Sequence, residues 1–385
     1  MKQLISVAVI SICILTACSD SSIISDETFE INNTSTATCN ETTVIIQPSI
    51  ATETLPADPV EEGSNFLGGS GSLKTFNSNP FILYDDENIY NGNAGSYHKK
   101  SIDEGGTWRY VCRTPGCKHE SKDCLLNRYF LNSSHLFAGD GGLLLASKGV
   151  VSQISDNGSC TQMVNFSTEY QEMKLQPETV TFQSLIQLTN DLLFFDFDAQ
   201  TEEEFTIRKY GFYDMKKNKR TILTDDTAPF CIADRYDSDV VWLFSADYTP
   251  YRLSLNSLER DADYNECPDH AMVDLCYSID GVLYYVNYLN QYCAFDSANG
   301  TKTLLAAEAP FITFIESNRK IWGISLDGKS IFCANPDLTE QKTVVSDSED
   351  EIISILYADE KTIEYGTAYG SIAVDLTSGR SVSFK

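Results

Sequence analysis

Val374-Asp375-Leu376-Thr377-Ser378-Gly379-Arg380 is the end of a short apolar run that enters a turn headed by Asp and closed by Gly. The residue types have a reason: an Asp side chain accepts from the amides of its own turn, and Gly and Asn tolerate positive φ. Phe295-Asp296-Ser297-Ala298-Asn299-Gly300 and Tyr213-Asp214-Met215-Lys216-Lys217-Asn218 repeat the pattern. Weaker copies stand at Asn335-Pro336-Asp337, Asn256-Ser257 and Asp156-Asn157-Gly158, and Asp103 heads the first. With anchors at 103, 156, 214, 256, 296, 335 and 375 the steps are 53, 58, 42, 40, 39 and 40 residues. Pro80-Phe81, Pro229-Phe230 and Pro310-Phe311 each open a unit, and the last two lie 81 residues apart, or two periods.

Between the turns run short stretches rich in β-branched and aromatic residues: Phe81-Ile82-Leu83-Tyr84, Leu192-Leu193-Phe194-Phe195, Val240-Val241-Trp242-Leu243, Val282-Leu283-Tyr284-Tyr285 and Lys320-Ile321-Trp322-Gly323. No long stretch has the helical period, so the domain reads as all-β. A period near 40 residues with about four strands per unit is the signature of a β-propeller. Seven anchors imply seven four-stranded blades over residues 75–385. The segment Leu73 to Asn77 is expected to supply a closing strand to the last blade.

One anchor carries a resemblance. Ser101-Ile102-Asp103-Glu104-Gly105-Gly106-Thr107-Trp108 resembles the Asp-box S-x-D-x-G-x-T-W of sialidase-like and other propellers, with Ser101, Asp103, Gly105, Thr107 and Trp108 in the defining positions. The resemblance implies a structural role on a third-to-fourth-strand hairpin, not an active site. A sialidase would also need an arginine triad and a Tyr/Glu nucleophile, and neither can be placed.

The N-terminus has another character. Lys2 precedes an apolar run from Leu4 to Leu15. That run is shorter than the roughly 20 residues a membrane span needs, but it suits a secretory signal. Leu15-Thr16-Ala17-Cys18 resembles the lipobox of bacterial lipoproteins. The resemblance implies cleavage of residues 1–17 and acylation of Cys18, which places the protein on the extracytoplasmic face of a cell membrane. Residues 18–74 are rich in Ser, Thr, Asn, Asp and Glu without sustained apolar periodicity, the composition of a disordered tether.

The chain has 28 basic and 55 acidic side chains. Loss of Lys2 with the signal leaves 27 against 55, a net charge of −28. That balance excludes nucleic acid and direct binding of anionic lipid. The run Ser346-Asp347-Ser348-Glu349-Asp350-Glu351 lacks the spacing of a calcium loop and reads as a solvated turn.

Cys112-x4-Cys117-x-His119-x4-Cys124 is the main candidate for chemistry. Three thiolates and one imidazole suit a closed, tetrahedral structural zinc site. Disulfides, which exported proteins form, are the competing reading, and free thiols are a third. The cluster resembles those of uncharacterised clostridial surface lipoproteins with propeller domains, which implies a recurrent local element and no activity. Cys231, Cys276, Cys293 and Cys333 sit inside strand patterns and read as buried small hydrophobes. The acidic doublets Asp196-Phe197-Asp198 and Asp261-Ala262-Asp263 read as turn or strand-edge acids. Tyr284, Tyr285, Tyr288 and Tyr292 read as packing between blades.

The function these features favour is non-enzymatic: a membrane-anchored propeller that binds a glycan, peptide or protein partner. The rivals are a propeller-type polysaccharide lyase or glycoside hydrolase, and a structural scaffold of an envelope assembly. Fold alone decides none of these.

Overall fold

The computed structural model describes residues 74–384, leaving out 77–78, 86–87, 93–94, 101–108, 113–116, 119–134, 140–141, 155–159, 167–173, 177–178, 225 and 235. The signal, Cys18 and the tether up to residue 73 lie outside the described residues, as do Ser101, Asp103, Gly105, Thr107, Trp108, His119 and Cys124.

The described residues form seven antiparallel sheets, each built from strands consecutive in sequence, and contain no α-helix. The sheets are the blades of a β-propeller. Six blades have four strands each. Their inner strands are His135–Gly139, Thr181–Thr189, Thr227–Ala233, Ala271–Ile279, Phe311–Ser317 and Ile352–Ala358, in blades 2 to 7. Blade 1 has Asn79–Tyr84 in the corresponding place and a fifth strand, Lys74–Phe76, beside it.

That fifth strand corrects one expectation. Lys74–Phe76 pairs with Asn79–Tyr84 (Lys74 opposite Tyr84, Thr75 opposite Leu83) and closes no other blade. Only two residues separate it from the next strand, a linkage that favours an antiparallel hairpin. The outer place in blade 7 is already filled by Ser381–Phe384.

Closure is made by side chains instead. One apolar cluster joins Ile82, Tyr84 and Ile89 of blade 1 to Ile352, Tyr357 and Ile363 of blade 7 and to Trp322 and Ile324 of blade 6. The Tyr84 and Tyr357 rings meet edge-on at 5.2 Å. The Lys100 ammonium donates to the Tyr357 hydroxyl at 2.6 Å and lies 4.2 Å from that ring's centroid. Separate clusters fill the interfaces between blades 1 and 2, 2 and 3, 3 and 4, 4 and 5, and 5 and 6. Every blade is therefore packed on both faces.

This explains the sequence of the second strands. Leu192–Gln200, Val241–Ser245, Lys320–Ser325 and Thr362–Thr367 are buried along nearly their whole length, because neighbouring blades cover both sheet faces. Outer strands such as Thr301–Ala306 and Lys342–Val345 are half-exposed and more polar. Gly323 shows how tight the packing is: an added Cβ would stand 2.6 Å from the Phe332 ring and 3.2 Å from the Phe311 Cβ.

The repeated turns are the hairpins between third and outer strands. Asp214, Asp296 and Asp375 each end a third strand. Asp375 accepts from the amides of Thr377 and Ser378, both at 2.8 Å, and Asp296 accepts from Ala298 N at 2.9 Å. Four residues after each Asp the backbone turns to positive φ, at Asn218, Gly300 and Gly379. Asp103 and Asp156 lie outside the described residues, in the intervals that link the third and outer strands of blades 1 and 2. Pro80, Pro229 and Pro310 stand in or just before inner strands.

Candidate binding face

Antiparallel order gives the propeller two ends. One carries the turns from inner to second and from third to outer strands. The other carries the turns from second to third strands and the connections between blades. The two ends differ in chemistry.

The first end is polar and internally paired. Asp234 follows the inner strand of blade 4 and is buried. Its Oδ1 accepts from the amides of Tyr236 and Asp237 at 2.8 and 3.1 Å. Its Oδ2 accepts from Ser278 Oγ and Gly281 N of blade 5, both at 2.8 Å. Ser278 Oγ in turn accepts from Trp242 Nε1 at 3.1 Å. The Tyr236 hydroxyl reaches blade 6, donating to Glu316 Oε1 at 2.6 Å. Arg319 stacks on the Tyr236 ring and pairs with Asp280. Lys217 pairs with Asp214, and Lys320 with Glu340.

The second end is different. Eight large apolar side chains are exposed among the described residues. Five of them, Phe205, Tyr288, Leu289, Leu326 and Tyr369, lie in turns between second and third strands. Leu289 and Tyr369 are each 77% exposed. Ile312, near the start of an inner strand, and Tyr110, at the finish of an outer strand, lie at this same end. Only Leu304 lies elsewhere, within an outer strand. Scattered surface hydrophobes need no explanation, but seven of these eight stand at one end.

An aromatic group anchors this end at blades 4 and 5. The Tyr288 ring lies 6.2 Å from Tyr248 and 6.0 Å from His270, and Tyr248 lies 6.4 Å from Phe230. His270 Nδ1 is 3.0 Å from Thr249 Oγ1 and 3.8 Å from Asp247. Burial nudges the Tyr288 hydroxyl above its ordinary value, with Tyr248 and Asp247 adding to the effect. Just behind, Asp269 accepts from Lys302 Nζ at 2.5 Å, Tyr285 OH at 2.8 Å and Asn287 Nδ2 at 3.2 Å. Burial alone would raise the Asp269 carboxyl. These three donors outweigh it and hold the carboxyl below the usual range. This network ties the connection into blade 5 to that blade's second and outer strands, next to His270 and Tyr288.

Carboxylates surround the apolar positions. On blades 4 to 7 the exposed ionisable side chains at this end, among the described residues, include Asp226, Asp247, Asp263, Glu266, Glu308, Asp327, Asp347, Glu349 and Glu351, against the bases His270 and Arg260, the latter paired with Glu266. Backbone hydrogen bonds interleave them with the apolar turns. Ala309 N donates to Asn290 O beside Leu289, and Ile352 N donates to Gly328 O beside Leu326.

Of the residues expected to carry chemistry, Cys112 and Cys117 are described. They are half-buried, follow the outer strand of blade 1, and pack against the cluster of Leu83, Tyr90, Tyr97 and Val111. Cys231, Cys276 and Cys293 are buried and Cys333 half-buried, all within strands and all as free thiols. Burial pushes each thiol up. Cys267, which strand patterning passes over, is buried beside them and pushed up to about 11.

One acidic doublet departs from expectation. Asp196 is no edge acid. It is buried in the second strand of blade 3 and takes a bidentate pair from Arg208, 2.8 Å from Nε and 2.5 Å from the terminal nitrogen. The nine-residue strands of blade 3 extend pairing past the apolar core, which leaves room for an ion pair between sheet neighbours. Asp261 and Asp263 are turn acids as read. Of the four tyrosines, Tyr285 and Tyr292 are buried and Tyr284 stacks on Tyr277, whereas Tyr288 is exposed.

Phe205, Leu289, Leu326 and Tyr369 were not singled out by the sequence reading. The available signal was a large apolar residue inside a polar turn, as in Asn287-Tyr288-Leu289-Asn290 or Thr367-Ala368-Tyr369-Gly370.

No protein-family model matches the chain, and no curated protein matches it. Among solved structures it is similar to virginiamycin B lyase from Staphylococcus aureus, at 12% identity and TM-score 0.43 over 78% of this chain and 96% of that one. It is similar to BamB from Moraxella catarrhalis at 14% identity and TM-score 0.36, over 64% of this chain and 72% of that one. It is also similar to the computationally designed Ika8 protein at 9% identity and TM-score 0.42, over 83% and 87% of the two chains. At these values none of the three carries a function to this chain.

Proposed function

We propose that this protein is a lipid-anchored, extracytoplasmic binding protein without enzymatic activity, whose propeller takes a glycan, peptide or protein ligand on the end that carries the second-to-third-strand turns. The supporting observation is the asymmetry of the two ends. Exposed apolar side chains gather on one, and paired polar groups fill the other. The Leu15-Thr16-Ala17-Cys18 stretch supports the anchor and the composition of residues 18–74 supports a tether. A Cys18→Ala chain should lose acyl labelling and partition into the aqueous phase of a detergent extract.

Binding is tested by screening the mature chain against glycan and peptide arrays, beside a Tyr288→Ser/Leu289→Ser/Tyr369→Ser variant. Truncating an interface anchor costs about 2 kcal/mol, roughly thirtyfold in affinity. Ligands of the native chain should be lost by that variant and kept by an Asp191→Asn/Asp239→Asn variant of the opposite end. Ligands retained by the triple variant, or depolymerisation of a polysaccharide by the native chain, would overturn the reading.

We further assign Cys112, Cys117, His119 and Cys124 to a structural zinc. Support comes from the donor set and from the packing of Cys112 and Cys117 against one apolar cluster. Metal analysis should find zinc bound to the purified chain, and a chelator should lower its melting temperature. A disulfide mapped to any of these cysteines would reject the assignment.

A further inference from the structure

The ligand class at this end can be narrowed, on the reading that it is the binding face. We propose that it docks a cationic polypeptide segment whose lysines or arginines alternate with apolar side chains.

Two patterns coincide on the same turns. The first is apolar: Tyr288, Leu289, Leu326 and Tyr369 project from blades 5, 6 and 7. The second is electrostatic: at this end the exposed ionisable groups from blade 4 to blade 7 are carboxylates apart from His270 and Arg260. These carboxylates outnumber the bases among them, although Arg260 stands near Asp226 and pairs with Glu266, and Lys329 stands near Asp327. The Lys329 ammonium, at the edge of the acidic connection, donates to the Glu349 backbone carbonyl at 2.9 Å. At the opposite end Lys217, Arg319 and Lys320 each sit on a carboxylate. Exposed carboxylates such as Asp191, Asp239 and Glu360 stand at that opposite end too, but more bases are interspersed among them, so the negative excess is greater on the face with the exposed apolar groups.

The two patterns are also interleaved. Asp327 directly follows Leu326, and the connection holding Asp347, Glu349 and Glu351 is bonded to that same turn through Ser348 N to Lys329 O. An occupant must satisfy both at spacings of one or two side chains. A polyamine would leave Leu289 and Tyr369 in water. A neutral sugar would stack on Tyr288 and gain nothing from the carboxylates. A basic segment with leucine-like or aromatic side chains answers both, and the net charge of the whole chain would speed its approach.

The test uses the mature chain and labelled synthetic peptides read by fluorescence anisotropy. The probes are an amphipathic lysine–leucine peptide, its lysine–serine counterpart and its glutamate–leucine counterpart. The lysine–leucine peptide should bind about tenfold or more tightly than either counterpart. Asp327→Asn/Glu349→Gln/Glu351→Gln should weaken it about fivefold or more and reduce its salt dependence, and Leu289→Ser/Tyr369→Ser about tenfold. Asp191→Asn/Asp239→Asn/Glu360→Gln, which removes the same charge from the other end, should change it less than about twofold.

Equal losses from the two sets of charge variants would show attraction to net charge alone and overturn the proposal. So would equal binding of the lysine–serine peptide, or sedimentation showing that the apolar turns pair two copies of this chain. Should the peptides fail while a glycan depends on Tyr288 and Tyr369, the ligand class is wrong and the binding face stands. Should no ligand depend on this end, both readings fall.

Discussion

Replacing Asp234 by Ala should destabilise the propeller far more than removing any turn acid of its hairpins. The carboxylate is 5% exposed and accepts four hydrogen bonds, two from its own turn and two from blade 5. A hydrogen bond to a charged acceptor contributes about 1.5–3 kcal/mol, and a buried donor left without a partner costs about 1–3 kcal/mol. The contributions do not add. The Ser278 hydroxyl can rotate, and water can reach part of the Tyr236–Asp237 turn, so the expected cost is about 3–5 kcal/mol. The unfolding entropy is about 2.1 cal/mol/K per residue, or about 0.65 kcal/mol/K for a domain of roughly 310 residues. The melting temperature should therefore fall by about 5–8 °C.

Asp375→Ala is the control. That Asp accepts two amide bonds on an exposed hairpin and should cost about 1 kcal/mol or less, roughly 1–2 °C. Asp234→Asn keeps one carbonyl acceptor but points an amide donor at donors, so it should fall between the two. Circular-dichroism melts and urea titrations of the mature chain measure all three. If Asp234→Ala shifts the melt no further than Asp375→Ala, the carboxylate does not join blades 4 and 5 and the reasoning fails.

Three other outcomes follow from the same structure. Asp269 is held below the usual carboxylate range in the folded chain, so its contribution is complete above about pH 4 and lost as pH falls through the folded value. Urea titrations from pH 5.5 downward should show a shallower loss of stability in Asp269→Asn than in the native chain, and parallel curves would reject the network. The buried thiols of Cys231, Cys267, Cys276 and Cys293 are raised by burial, so iodoacetamide at neutral pH should leave them unlabelled until urea is added. Rapid native labelling at any of them, read by mass spectrometry, would show that its interface opens. Lys100→Met removes both the hydrogen bond to Tyr357 and the charge over its ring, and should cost about 1–2 kcal/mol in urea titration. A change under about 0.5 kcal/mol would mean that the junction of blades 1 and 7 does not depend on it.

Much of the architecture can be read from local chemistry. The Asp and Gly of Asp375-Leu376-Thr377-Ser378-Gly379 announce a hairpin because the turn needs an acceptor at its head and positive φ near its close. Continuous runs such as Val241-Trp242-Leu243-Phe244 announce strands covered on both faces. Repetition at a 40-residue period then leaves one way to bury all those faces, a ring of stacked blades. The place of Lys74–Phe76 was not legible, since three residues with no distinctive side chain can pair with either neighbour of the gap. Neither was the role of Asp196, whose partner Arg208 is supplied by register between strands and not by sequence proximity.

The amino-acid sequence by itself therefore determined the class of fold, the number of blades and the position of the repeated hairpins, because those depend on contacts within a few residues. It also determined the excess of negative charge. Only the tertiary structure decided where that charge and the exposed apolar residues collect. Glu349, Leu326 and Tyr288 are separated by tens of residues, and antiparallel winding brings their turns to one end. The same holds for Asp234: two of its bonds are local and could be read from its turn, but the two that tie blades together depend on Ser278 and Gly281, which only the ring places beside it.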